Sequence, residues 1–241
     1  AARVQDVLER LGHAAVGIDV GHDLVRALRE ADPEVAFVAV HGREGEDGTV
    51  QELLELLGIA YTGSAPAACA RAWDKVLAKH LLRDAGIPTP DFYGFGEAAF
   101  RDLGAADALP AIERRLAFPI VVKPARGGSS LGVKFAASAA ELLRALLAAF
   151  SYDRKVLLER HVAGRDLAVS IVGGEALPIV EAVPNEEEFY DFEARYEIGR
   201  TTFVCPAQLP AEDAARAAEL ALEAWRLLGC RGFARVDLMR E

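Results

Sequence analysis

The sequence predicts an α/β fold, α+β over the whole chain, that opens with a Rossmann-like parallel-sheet domain and continues into sheet-rich units covered by helices. Three observations carry that expectation. Helical and short apolar segments alternate over the first third of the chain, a rhythm that builds a parallel sheet flanked by helices. Farther on, apolar runs such as Phe118-Pro119-Ile120-Val121-Val122 and Val156-Leu157-Leu158 are strand-length and bounded by turn or polar residues. At 241 residues, 52% of them hydrophobic, the chain can bury a substantial core in one large domain or a few small ones.

In order, Val4–Leu11 has helical spacing, Ala14–Val20 reads as extended, Leu24–Glu30 as helical and Val35–Val40 as a buried strand. The chain opens inside a helix, so the preceding first strand that would normally centre such a sheet is expected to be missing. Residues 50–57 read as a helix, and Thr49-Val50-Gln51-Glu52 has the spacing of a capping box. A long helix is expected from about Pro66 to Ala85, stopped by Gly86-Ile87-Pro88-Thr89-Pro90. A strand and flap around Lys123 follow, then a helix at Ala139–Phe150 and strands at Val156–Glu159, Asp166–Val172 and Ala176–Val183. Residues 184–200 are polar and aromatic without clear periodicity, which reads as a long loop. A helix at Ala211–Leu228 and a strand at Gly232–Met239 complete the pattern, and three units are expected, at 1–65, 66–158 and 159–241.

The formal net charge of −10 leaves no basic surplus to neutralise a nucleic-acid backbone or an anionic membrane. No apolar stretch approaches the ~20 residues of a membrane span, and residues 1–12 lack a signal-peptide layout, so a cytoplasmic location is expected. Cys69, Cys205 and Cys230 are odd in number and lack metal-ligand spacing, which reads as buried reduced thiols, rather than disulfides or a zinc site, with no chemistry assigned.

The most informative segment is Lys123-Pro124-Ala125-Arg126-Gly127-Gly128-Ser129-Ser130-Leu131-Gly132-Val133. A buried strand delivers a lysine at its end, and a loop of small residues can then turn backbone N–H groups toward an anion, with two serine hydroxyls beside them. Apolar residues resume at Leu131 and Val133, so the glycines are expected in a strand–loop–strand flap. A plain hairpin turn is the alternative. His41-Gly42-Arg43-Glu44-Gly45-Glu46-Asp47-Gly48 lies between a strand and a helix start, where ligands gather in open α/β sheets, or else is a solvated acidic loop. Asp74-Lys75 falls inside the expected long helix and reads as an exposed ion pair. Val156–Val162 is an apolar strand ending in Glu159, with Asp166 shortly after, suited either to an adenine and a ribose or to a plain polar strand end. Arg235 and Asp237 alternate with Val236 and so share one face of the last strand. On an apolar strand they must pair or bind a ligand, and a salt bridge and a magnesium–phosphate site both satisfy that. Phe189–Tyr196 is aromatic enough to close over a pocket or to pin a surface loop.

Together and in this order, these segments resemble the D-alanine–D-alanine ligases of the ATP-grasp superfamily. The likeness runs from about His41 to Met239 and adds Tyr61–Ser64, Trp73–Lys75 and Cys205–Ala207 to the motifs above. It implies an N-terminal substrate domain, a central lid and a C-terminal domain that clamps ATP. It also implies ADP-forming synthesis of D-alanyl-D-alanine through an acyl phosphate, for peptidoglycan precursors and so cell-wall biogenesis and cell shape. Two Mg²⁺ ions, replaceable by Mn²⁺, and a homodimer come with the resemblance, whereas the expected absence of nucleic-acid and membrane partners follows from the charge and the lack of an apolar span above.

By motif, the resemblance places Lys75 and Lys123 on ATP phosphates, Ser129 and Ser130 over the γ-phosphate, and Glu159, Arg160 and Val162 beside the adenine. Asp166 would meet the ribose where the family usually has glutamate, and Arg195 would stand for a phosphate-contacting lysine. His41, Tyr196 and Arg235 would meet substrate, with Ser129, Tyr196 and Arg235 acting in catalysis and Asp237 as a metal ligand. Tyr196 matches ligases that make the dipeptide rather than D-alanyl-D-lactate. The family also has an earlier glycine-rich segment and a later strand with further metal ligands, so the chain reads as an incomplete copy. Glu241 stands about 13 Å along an ideal strand from Asp237, too far to share one ion. Competing expectations are another ATP-grasp carboxylate–amine ligase and a non-catalytic nucleotide-binding fragment.

Overall fold

The computed structural model describes residues 1–184 and 201–241. Helices α1 (Ala2–Arg10) and α2 (Leu24–Ala31) precede strand β1 (Val35–Ala36). Helix α3 (Thr49–Leu57) then leads to β2 (Ala60–Tyr61), which pairs parallel with β1. Leu24 and Leu28 of α2 pack against Val50 and Leu54 of α3 in a small core. Two expectations here are corrected. The strand expected over Val35–Val40 ends its pairing at Ala36, and Val35 and Phe37 remain 58% and 45% exposed. The segment Ala14–Val20 has no ladder partner among the described residues. A strand exists through its neighbour's hydrogen bonds, which an apolar run alone does not supply.

The capping box at Thr49 is also revised. Gly48 occupies the cap position, Thr49 is the first helical residue, and its N–H donates to Asp47 Oδ1 at 2.9 Å. Burial pushes the Asp47 carboxyl up, but hydrogen bonds from Thr49 and Glu44 hold it below its ordinary value.

The long helix expected from Pro66 is two helices, α4 (Pro66–Trp73) and α5 (Lys75–Asp84), broken at Asp74. Asp74 is extended (φ −88°, ψ 100°) and accepts the Leu77 N–H at 3.0 Å. An aspartate favours this cap position because its carboxylate satisfies a first-turn donor that the helix cannot. Periodicity alone runs straight through such a break.

A four-stranded antiparallel sheet follows, built from β3 (Phe92–Gly96), β4 (Ile120–Pro124), β5 (Lys134–Ala136) and β6 (Lys155–Arg160) in the order β3-β6-β4-β5. Helices α6 (Glu97–Asp102), α7 (Leu109–Leu116) and α8 (Ala139–Phe150) accompany it. Strand β3 and helices α6 and α7 were not anticipated from the sequence. Alternation assigns the two faces. Ile120, Val122, Val156 and Leu158 meet Ile112, Leu116, Leu142 and Leu146 in one core. Leu157 points the other way, joining Val76, Phe92 and Ala125 beneath α5. A Cβ on Gly94 would lie 2.4 Å from Val76 Cγ1, so α5 can lie this close to β3 only over glycine. Leu158 is fully buried, and Leu158→Ala is expected to cost about 2–5 kcal/mol in urea unfolding, because the surrounding sheet and helices cannot close the void.

The last unit is an antiparallel sheet of β7 (Arg165–Val172), β8 (Glu175–Ala176), β9 (Val180–Pro184), β10 (Thr201–Val204) and β11 (Phe233–Arg240), with β7 between β9 and β11. Helix α9 (Ala211–Leu228) covers one face, where Leu167, Val169 and Ile171 meet Ala217 and Ala221. The single strand expected at Ala176–Val183 is split between β8 and β9, and β10 was not anticipated. Side chains tie this unit to the preceding ones. Arg71 of α4 donates through Nε and Nη2 to Leu228 O at 2.9 and 2.7 Å, satisfying a carbonyl at the end of α9. The Arg231 N–H donates to Ser64 Oγ at 3.1 Å, and Arg231 Nε donates to Gly63 O at 3.1 Å. The start of β11 is thereby held against the Tyr61–Ser64 turn. Among the described residues no helix is long and apolar enough to cross a membrane.

Candidate functional site

The site begins with strand parity. In the β4–β6 ladder Val121 stands opposite Glu159 and Lys123 opposite Leu157. Lys123 and Glu159 are therefore diagonal neighbours on the face that α5 covers. Lys123 Nζ pairs with Glu159 Oε1, and from α5 Lys79 Nζ lies 3.0 Å from Glu159 Oε2. Lys79 also donates to Thr89 Oγ1 at 2.6 Å. One helical turn before it, Lys75 donates through Nζ to Gly127 O at 2.7 Å, while its backbone N–H donates to Ala125 O at 2.9 Å. The break at Asp74 makes this possible, since it frees the Lys75 N–H for the end of β4.

Three lysines thus gather around one carboxylate. Burial pushes Glu159 up, but the ammonium groups of Lys123 and Lys79 outweigh it and hold the carboxyl below its ordinary value. Burial lowers Lys79, with Glu159 opposing that change. Burial and the charge of Lys123 bring Lys75 down to about 8. Three neighbouring cations, two of them sharing the single carboxylate Glu159, favour an added anion, above all one with several negative oxygens.

The flap over this cluster is anchored at both ends. Asp153 accepts the Arg126 N–H at 2.9 Å and binds the Arg126 guanidinium through both carboxylate oxygens at 3.1 Å. At the far end, Gly132 (φ 75°) packs where a Cβ would lie 2.7 Å from Tyr152 Cδ2 and 2.8 Å from Pro124 Cγ. Between them Ser129 and Ser130 occupy the left-handed region at φ 55° and 57°, which costs a non-glycine residue about 1–2 kcal/mol. Such strain concentrates where a loop must present its backbone to a ligand. The second strand begins at Lys134 rather than Leu131, so the flap is longer than expected.

The flap also meets the segment His41–Gly48, since a Cβ on Gly128 would lie 3.4 Å from Glu46 Oε2. His41 itself is almost fully exposed, with Nδ1 3.8 Å from Glu46 Oε1. The Asp74–Lys75 ion pair expected in mid-helix is corrected, because Asp74 instead accepts from Lys155 Nζ at 3.2 and 3.0 Å. Burial raises the Asp74 carboxyl, but the Leu77 N–H and Lys155 together hold it below the ordinary 3.8. Asp74→Ala is expected to cost about 1–2 kcal/mol at neutral pH. A carboxylate depressed by folding contributes fully above 3.8 and loses that contribution as pH falls through its lowered value, so thermal unfolding should show the two proteins converging in acid.

Arg160 sends its N–H to Asp91 O at 2.9 Å and pairs through its side chain with Glu241 at 3.0 Å. Glu241, already unsuited by distance to join Asp237, is thus engaged elsewhere. Val162 lies half-buried in the connection between β6 and β7, and Asp166 stands on β7 in register with Met239 and Ala182. Asp166 shares its face of the sheet with Arg235 and Asp237. The last two form a bidentate pair at 2.7 and 2.9 Å and are 56% and 45% exposed. The strand that carries them is half open, so the burial cost anticipated from its apolar sequence is small. Arg195, Tyr196 and the aromatic segment around them lie outside the described residues. Among the described residues no three His, Cys, Asp or Glu side chains are grouped to hold a metal ion.

Sequence reasoning missed Lys79, Thr89 and Asp153. Lys79 had a usable signal, because it follows Lys75 by four residues and must share its face of α5.

Comparison with known proteins places this geometry among relatives. Residues 12–64 match the family described as D-ala D-ala ligase N-terminus, and residues 81–241 match D-ala D-ala ligase C-terminus. A protein of Synechococcus sp. (strain JA-3-3Ab), named D-alanine–D-alanine ligase, is 42% identical over 234 residues, covering 96% of this chain and 71% of its own. The crystal structure of the D-alanine–D-alanine ligase from Bacillus anthracis superposes with a TM-score of 0.85 at 34% identity, over 100% of this chain and 76% of that one. The same enzyme complexed with ATP gives a TM-score of 0.79 at 32% identity, over 96% of this chain and 72% of that one.

Proposed function

This chain belongs to the D-alanine–D-alanine ligase family, with the ATP-grasp fold, and we propose that Lys75, Lys123 and the flap hold ATP while two D-alanine molecules are joined. In this reaction the carboxylate of one D-alanine takes the γ-phosphoryl group and ADP is released. The amine of a second D-alanine then attacks the acyl phosphate, loses a proton and expels inorganic phosphate, leaving D-alanyl-D-alanine. The observation that carries the placement is the set Lys75, Lys79, Lys123 and Glu159 beneath a glycine–serine flap.

Phosphoryl transfer is catalysed chiefly by positioned charge, and the residues divide that work. Lys75 and Lys123 bind phosphate oxygens, and Lys75 exchanges its bond to Gly127 O for one to the nucleotide. Backbone N–H groups around Ser129 and Ser130 cover the γ-phosphate and exclude water, which would otherwise hydrolyse the acyl phosphate. Glu159, Arg160 and Val162 border the adenine, and Asp166 the ribose. Arg235 meets the charge that develops on the transferred group and on the tetrahedral intermediate. Arg195 adds a phosphate contact, and His41 and Tyr196 meet the amino acids.

Magnesium, when bound, would be held by Asp237 together with the nucleotide's own oxygens, since this ion is commonly bound through one or two carboxylates and phosphate groups. Asp237, half exposed beside Arg235, suits that arrangement, and two ions when bound would neutralise and orient the phosphates. A role in peptidoglycan precursor synthesis, a cytoplasmic location and a homodimer complete the reading by family analogy.

The test is phosphate release with ATP and Mg²⁺, with and without D-alanine, L-alanine serving as control and mass spectrometry identifying the product. Release that needs D-alanine, with the dipeptide formed, is expected. Stimulation by a different acid would instead indicate another carboxylate–amine ligase, and ATP binding without release would indicate a nucleotide-binding unit.

A further inference from the structure

Lys79 is buried, lies outside the set of residues read as touching ATP, and is bonded to two groups. Its side chain is 10% exposed, as is nearly so that of Glu159 at 11%, while Lys123 is more open at 28%. Each oxygen of Glu159 has its own cation, Lys123 on Oε1 and Lys79 on Oε2. Thr89 Oγ1 accepts a further Lys79 proton and pins the ammonium against the linker that follows α5.

This division has a consequence for Lys123. A buried carboxylate with a single ammonium partner holds it tightly, because separating the two strands a charge away from water. A second ammonium fixed on the other oxygen neutralises that carboxylate independently and weakens its hold on the first. We infer that Lys79 is a positioning residue: it satisfies Glu159 from the α5 side so that Lys123 can leave the carboxylate for a nucleotide phosphate. The inference rests on the reading that Lys123 binds ATP.

Without Lys79, ATP must compete with an undivided Glu159 for Lys123. Lys79→Met keeps the apolar stem of the side chain and removes the charge. Titration of ATP with Mg²⁺ by calorimetry should show its Kd rising about tenfold, the effect expected when a buried charged pair must be broken on binding. The decisive comparison is with Glu159→Gln. If Lys79 acts through the carboxylate, adding Lys79→Met to Glu159→Gln should leave the Kd within about twofold of Glu159→Gln alone, because the group it served is gone.

The double variant leaves neither Lys79 nor Glu159 buried as a lone charge, and Lys123, which loses its carboxylate, is the most open of the three. Should Lys79→Met fail to fold, Lys79→Gln measured in both backgrounds supplies the same comparison. An unchanged Kd in the single variant would overturn the inference, as would an equal loss in both backgrounds, which would mark Lys79 as a purely structural support. Lack of ATP binding by the unmodified protein would overturn the nucleotide reading itself, and this inference with it.

Discussion

Arg235→Ala is expected to lower D-alanine-dependent turnover about a thousandfold, the size of loss seen when one preorganised stabiliser of developing charge is removed. Nucleotide affinity should change by no more than about threefold, because an interaction that strengthens only in the transition state lowers kcat and kcat/KM together and leaves ground-state binding largely intact. The geometry favours a clean experiment. Arg235 is half exposed, and its partner Asp237 remains in water when the guanidinium is gone, so no charge is left buried. Steady-state phosphate release and calorimetric titration of ATP separate the two parameters. Equal losses in turnover and affinity would show Arg235 to be a nucleotide-binding residue rather than a transition-state one.

Lys75→Met should act on the opposite parameter. Lys75 is half-buried at the mouth of the flap and offers its ammonium to Gly127 O, a bond that ATP phosphate can replace. Removing it should raise the Kd for ATP about a hundredfold, equivalent to ~3 kcal/mol. The residue also predicts a pH profile. Burial and the neighbouring Lys123 lower Lys75 to about 8, so affinity should decline as pH rises through that value, whereas the methionine variant should be flat there.

Unfolding does not imitate this decline. Between about 8 and 10.5 the unfolded chain holds the Lys75 proton more firmly than the folded one, so this residue makes stability rise with pH across that window. Affinity measured from pH 7 to 10 beside thermal unfolding distinguishes the two effects. A decline with the same midpoint in the methionine variant would assign the titration to another group.

What the sequence determined by itself was local or serial. Helix α8 begins and ends where its pattern says, at Ala139 and Phe150. The alternation Arg235-Val236-Asp237 was enough to put a cation and a carboxylate on one strand face, since a strand's period is set by its own backbone. The ordered succession of motifs was enough to indicate the family.

Tertiary structure decided the rest. Asp74 reads as mid-helix in sequence, yet it caps α5 and meets Lys155, which is 81 residues away. Glu159 reads as the polar end of a strand, yet the register of β4 against β6 and the seat of α5 over Gly94 give it two cations. The strand expected at Val35–Val40 shortened because pairing is a property of two segments and only one of them is visible to periodicity. A side chain's direction along helix or strand follows from the covalent chain, whereas its partner depends on which distant segment the packing brings within about 3 Å. Lys79 marks the boundary between the two: the helical period places it beside Lys75, and only the folded sheet beneath supplies the carboxylate it serves.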